Sequence, residues 1–96
     1  MAVVIIPAYR PDYELGNIAQ TMYELGAKII VVDDGSGNEF VDRFEDIEDI
    51  CTVLRHDENM GKGAAIKTAL YIAVLILGLT RSVGHRRRKQ ELRTGR

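Results

Sequence analysis

The run Ile29-Ile30-Val31-Val32 passes without a break into Asp33 and Asp34, and then into Gly35-Ser36-Gly37. Unbroken β-branched runs mark strands buried on both faces, whereas a half-exposed strand alternates apolar with polar residues. A similar run, AVVIIP from Ala2 to Pro7, opens the chain, and CTVLRH from Cys51 to His56 follows, polar towards its end. Strands buried on two faces need helices to cover them, and the intervening segments have helical spacing. Pro11-Asp12 opens the first helix with Asp12 as N-cap; Leu15, Ile18, Ala19, Met22 and Leu25 form its apolar face, and Gly26 closes it. Glu39 to Ile47 reads as the second helix, with Phe40, Phe44 and Ile47 inward, and AAIKTALYIA from Ala64 as the third. Pro7 is expected to end the first strand, because it removes a ladder donor. The order β-α-β-α-β-α with short connections predicts an α/β class: a Rossmann-like parallel sheet of three to four strands with flanking helices. Ala73 to Leu79 either extends the third helix or forms a fourth strand. The apolar run from Ala69 to Leu79 is 11 residues, short of the roughly 20 that a membrane-spanning helix needs.

Ninety-six residues, 46% apolar and 28% charged, suffice for one modest core. Cys51 is the single cysteine, so no intramolecular disulfide can form, and a reducing, cytoplasmic setting is the expected one. One Cys with the scattered His56 and His85 makes no zinc set. The N-terminus shows no basic segment followed by a long apolar one, hence no secretory signal. Charge divides the chain sharply. Residues 1–80 carry six Lys/Arg against thirteen Asp/Glu, a balance of −7, while residues 81–96 carry seven Lys/Arg against one glutamate, a balance of +6. The expected organisation is therefore a nucleotide-binding part over residues 1–79 and a basic, disordered tail over residues 80–96.

In open parallel sheets, ligands bind beyond the carboxyl ends of the strands. Those ends carry PAYRPD, DDGSG and RHDENMGKG, which brings Tyr9, Asp33, Asp34, Ser36, Asn59, Lys62 and Gly63 to one rim. Tyr9 can lie against a base, and a carboxylate at Asp33 or Asp34 can accept from a base N–H or a ribose hydroxyl. Gly61, Gly63 and the following helix N-terminus suit a phosphate, with Lys62 as a point charge. Each signal is weak alone. Paired aspartates after a strand are commonly turn residues, and GKG lacks the full spacing of a P-loop. His56 reads as a strand-end polar residue rather than a catalytic base, and Arg10 and Arg55 as solvated or paired with nearby acids. A response-regulator acidic pocket would place the pair after the first strand, not the second.

Taken together, VVIIPAYRPD, KIIVVDDGSGNEF and TVLRHDENMGKGAAIKTAL resemble the N-terminal half of a family 2 glycosyltransferase of the GT-A fold, over residues 2 to about 72. The nearest subgroup is that of polyprenyl-phosphate (dolichyl-phosphate mannose or glucose type) synthases. The resemblance implies a partial GT-A domain that binds a UDP- or GDP-sugar. By motif, Pro7, Ala8 and Tyr9 line the base site, Asp34 with Asp33 reads the base or ribose, and Asn59, Gly61 and Lys62 sit towards the nucleotide and its phosphates; Ser36 joins these nucleotide-binding candidates from its place on the rim. One aspartate is expected to be held by loop N–H groups while the other faces the ligand. The family's Asp-x-Asp type motif, which holds a divalent Mg or Mn, and its general-base aspartate should come later, yet no aspartate follows Asp57. No catalytic residue, metal ligand or cofactor is thus assigned to this chain, and no transferase activity is expected of it alone.

The abrupt change near Thr80 fits a truncated or frame-shifted product best. A basic tail for anionic lipid or nucleic acid, or an artefact of how the chain was made, are the alternatives. Nucleic acid is the weaker partner, since the tail carries no aromatic residue to stack on bases. Peripheral membrane contact is compatible with the basic residues. A second reading of the whole chain is a non-catalytic module that oligomerises or docks through an exposed sheet edge, with the tail as anchor. A third is a fragment of no selected function.

Overall fold

The computed structural model describes residues 2–78; the expectations for residues 80–96 lie outside it. Its elements follow the predicted order: β1 (Val3–Ala8), α1 (Glu14–Glu24), β2 (Lys28–Asp34), a 3-10 turn (Asn38–Phe40), α2 (Val41–Glu45), β3 (Thr52–His56) and α3 (Lys62–Leu77). The three strands form one parallel sheet in the order β1-β2-β3, an α/β Rossmann-like arrangement. The run from Ala73 settles as helix, since α3 continues to Leu77 and ends on Gly78 in the left-handed conformation. Among the described residues no helix is long and apolar enough to cross a membrane.

Side-chain alternation along β2 divides the core in two. Ile29 and Val31 point to one face, where they meet Leu15 and Ala19 of α1 with Phe44 and Ile47 around α2. Ile30 and Val32 point to the other face and meet Ala65, Ala69 and Ala73 of α3. Three alanines in a row let α3 lie close to the sheet. The first two crossovers thus cover one face and α3 the other, the change of side that marks a ligand crevice in open α/β sheets.

Several local expectations shift. Pro7 lies inside β1, paired with Val32, and is tolerated because β1 is an edge strand of the described sheet. The N-cap position of α1 falls on Tyr13 and not on Asp12, whose carboxylate instead accepts the Glu14 N–H at 2.9 Å from two residues before the helix. Gly26 (φ +86°) ends α1 in a Schellman turn, with Ala27 N–H bonded to the Met22 carbonyl and Gly26 N–H to that of Tyr23. Ile18 and Leu25 are exposed rather than buried, because α1 contacts the sheet along a narrow stripe centred on Leu15 and Ala19. The second helix is shorter than predicted, a single α-turn flanked by 3-10 and looser turns up to Ile50, though Phe44 and Ile47 are buried as expected. On α3, Leu70, Tyr71 and Leu75 remain exposed on the side away from the sheet.

Gly35 fixes the spacing between the loops beyond β2 and β3. Its φ is +77°, and a Cβ at that position would run into the backbone of Glu58 and Asn59. Gly26 has a similar φ but open space around it. Gly26→Ala should therefore lose only the left-handed preference, about 1–2 kcal/mol. Gly35→Ala should lose that and the loop contact as well. Urea denaturation of the two variants checks the order; equal losses would mean that the loops part without cost.

Candidate functional site

The adjacent carboxylates of Asp33 and Asp34 emerge on opposite faces of the sheet, and each sits directly across the strand pair from a basic residue. In the β2–β3 register Asp33 is opposite Arg55 and Asp34 opposite His56. Asp33 is buried on the α2 face. Its Oδ2 accepts from Arg55 Nε at 2.9 Å and Nη2 at 2.8 Å, and its Oδ1 from the Ser36 N–H at 3.0 Å. The Arg55 guanidinium also lies 5.7 Å from the centre of the Phe44 ring. Ser36 is buried beside it and its Oγ accepts the Arg10 N–H at 2.8 Å. That bond pins Arg10 at φ +51°, where the chain turns out of β1. The Arg10 side chain reaches Glu39 at 3.4 Å and lies over Phe40. Both arginines are thus paired with acids.

Asp34 is equally buried, on the α3 face. Its Oδ1 accepts from His56 Nδ1 at 2.7 Å and from the Met60 N–H at 2.9 Å; its Oδ2 accepts from the Gly61 N–H at 2.8 Å. A carboxylate oxygen accepts, so Nδ1 donates its N–H to Asp34, and Nε2 is hydrogen-bonded to the Thr68 hydroxyl at 2.8 Å. His56 therefore ties β2 to α3. Both aspartates accept loop N–H groups, Asp33 from Ser36 and Asp34 from Met60 and Gly61, and Asp34 is the one that lines the crevice.

That crevice is a cavity of about 190 Å³ lined by Pro7, Ala8, Tyr9, Asp34, Asn59, Gly61 and Lys62. Three loops meet there: the exit of β1, the end of β2, and the β3–α3 loop. Of the residues singled out from sequence, Asp33, Ser36 and Gly63 do not line it; Asp33 and Ser36 lie with Arg55 and Arg10. Tyr9 is half exposed over the opening. No side chain caps α3 and no acid occupies its first turn, so the N–H groups of Lys62, Gly63 and Ala64 are free to face an anion. The cavity can thus offer an aromatic face, a carboxylate acceptor, and a cationic, donor-rich helix end.

A divalent metal is a poor fit. Asp34 is the sole carboxylate in the cavity and both of its oxygens are engaged by N–H donors, while Asp33 is held by Arg55 on the other face. Among the described residues no group of three or more His, Cys, Asp or Glu side chains comes together as a metal site. A larger cavity, about 400 Å³, opens at the other end of the sheet near Tyr23, Ile29, Cys51 and Ile72. Burial, with the nearby Asp49, pushes the Cys51 thiol up to about 11, which leaves it a poor nucleophile at neutral pH.

Sequence reasoning left Arg55 as solvated or paired with an unnamed acid, read His56 as a strand-end polar residue, and passed over Thr68. The signal was available in the alternation of β2: consecutive residues face opposite ways, so two adjacent acids need two partners on two faces.

The family model for glycosyl transferase family 2 matches residues 3–74, which span every element from β1 into α3. The chain belongs to that family, and its parallel sheet with flanking helices is that of a partial GT-A domain. No curated protein and no solved structure matches the chain.

The partners of Asp34 predict its titration. Chiefly the His56 hydrogen bond, then the Met60 N–H, hold the carboxyl below its ordinary 3.8 against the opposing effect of burial. A depressed folded value means that the ionised, latched form adds stability above pH 3.8, lost as pH falls through Asp34's own lower midpoint. Carboxyl-carbon NMR should place that midpoint below 3.8, and His56→Leu should raise it. A midpoint at or above the ordinary value would show that the latch does not form.

Proposed function

We propose that the rim at the carboxyl ends of β1 and β2 binds the nucleotide of a UDP- or GDP-sugar, as the donor half of a family 2 sugar transfer. The observation that carries this reading is the convergence of Tyr9, Asp34 and Lys62, from three separate loops, on one cavity. Its chemistry is graded in the order a nucleotide needs. Tyr9 can cover a base, Asp34 can accept from it, and the Lys62 ammonium with the α3 N-terminus can take the diphosphate. The motif order supports grouping the chain with polyprenyl-phosphate glycosyltransferases.

The described residues bind in this reading and do not transfer. Asp34 is the cavity's single carboxylate, already engaged by three donors, and cannot also serve as a base for an acceptor hydroxyl.

Titration of the 96-residue chain with UDP and with uridine, followed by amide NMR, tests the site. Shifts should cluster at Tyr9, Asp34 and Lys62. Lys62→Ala should weaken UDP about tenfold while leaving uridine unchanged, because a charge-assisted phosphate contact is worth about 1.5–3 kcal/mol. Asp34→Asn should weaken both ligands. A dispersed spectrum unmoved by UDP and by GDP would end the nucleotide reading.

A further inference from the structure

The nucleotide reading leaves the base unassigned, and the hydrogen bonds already made by Asp34 bear on it. A carboxylate has about four acceptor positions, two on each oxygen. His56 Nδ1 at 2.7 Å and the Met60 N–H at 2.9 Å fill both positions of Oδ1, and the Gly61 N–H at 2.8 Å takes one on Oδ2. One acceptor position remains. The imidazole cannot swing aside to release another: its Nε2 is bonded to Thr68 at 2.8 Å and its side chain is 11% exposed.

Bases differ in what they ask of a carboxylate. Guanine presents two neighbouring donors, the ring N1–H and the exocyclic amino group, which a carboxylate meets by using both oxygens side by side. Uracil presents one donor, N3–H, between two carbonyls. We propose that His56 sets base selectivity in this chain: by occupying Oδ1 it leaves Asp34 able to accept a single donor, which favours a uracil nucleotide over a guanine nucleotide. This rests on the rim being the nucleotide site. His56 acts through Asp34 and touches no reacting atom, so it is a positioning residue.

The test is the ratio of UDP to GDP affinity, measured by calorimetry on the full chain and on His56→Leu and His56→Gln. The unchanged chain should prefer UDP by about tenfold or more, the effect of leaving one buried donor of guanine without a partner. His56→Leu frees a position on Oδ1 and should bring the ratio towards one, mainly by improving GDP. His56→Gln retains an N–H donor and should keep the preference, which a purely structural role would not predict. Should His56→Leu fail to fold, Thr68→Val serves instead; it releases the imidazole and should lower the ratio. Equal or tighter binding of GDP by the unchanged chain overturns the proposal and leaves the nucleotide site standing. A ratio unmoved in both His56→Leu and Thr68→Val also overturns it. Absence of binding to either nucleotide removes the site, and this inference with it.

Discussion

The carboxyl edge of this sheet depends on how β2 is paired with β3. That register sets two adjacent acids opposite an arginine and a histidine, and the pleat sends the two pairs to opposite faces. Two carboxylates that would repel if they shared a site are thereby separated by the thickness of the sheet. Each is then stabilised by its own cation or imidazole and by a backbone N–H. Without that division neither Asp33 nor Asp34 could be buried at so small a cost.

The two pairs do different work. Asp33, Arg55 and Ser36 hold the exit of β2 against α2 and, through Arg10, set the turn that leaves β1. Asp34 and His56 draw in the β3–α3 loop and bring the start of α3 against the strand ends. Gly35 permits the close passage of the two loops. The cavity walls are thus built by contacts internal to the protein, before any ligand arrives. A pocket assembled in advance loses less conformational entropy on binding than one that must close around its ligand.

Much of this was legible in the sequence. The apolar runs identified the three strands and the parallel class; strand-end placement brought Tyr9, Asp34, Asn59, Gly61 and Lys62 to one rim, and the family resemblance added Pro7 and Ala8. What escaped was the direction of side chains. Treating Ile29 to Val32 as uniformly buried hid the fact that Asp33 and Asp34 inherit opposite faces from it. The partners Arg55 and His56 come from a strand 22 residues away, and a pairing register is not written in either strand alone. Helix ends shifted for a similar reason. Ile18 and Leu25 are apolar and correctly spaced, but α1 contacts the sheet over too narrow a stripe to bury them.

Parallel strands made of valine and isoleucine are poor at choosing their own alignment, since sliding by a residue exchanges one apolar side chain for another. The two charged pairs at the end of β2 supply the missing discrimination. A slip of β3 by one position would set either Leu54 opposite Asp33 with Arg55 opposite Asp34, or His56 opposite Asp33 with Asp57 opposite Asp34, so that neither observed pair survives. Both faces would be penalised together. The residues that form the crevice thus also act as a proofreading device for strand alignment, and the sheet closes at its polar end in one alignment.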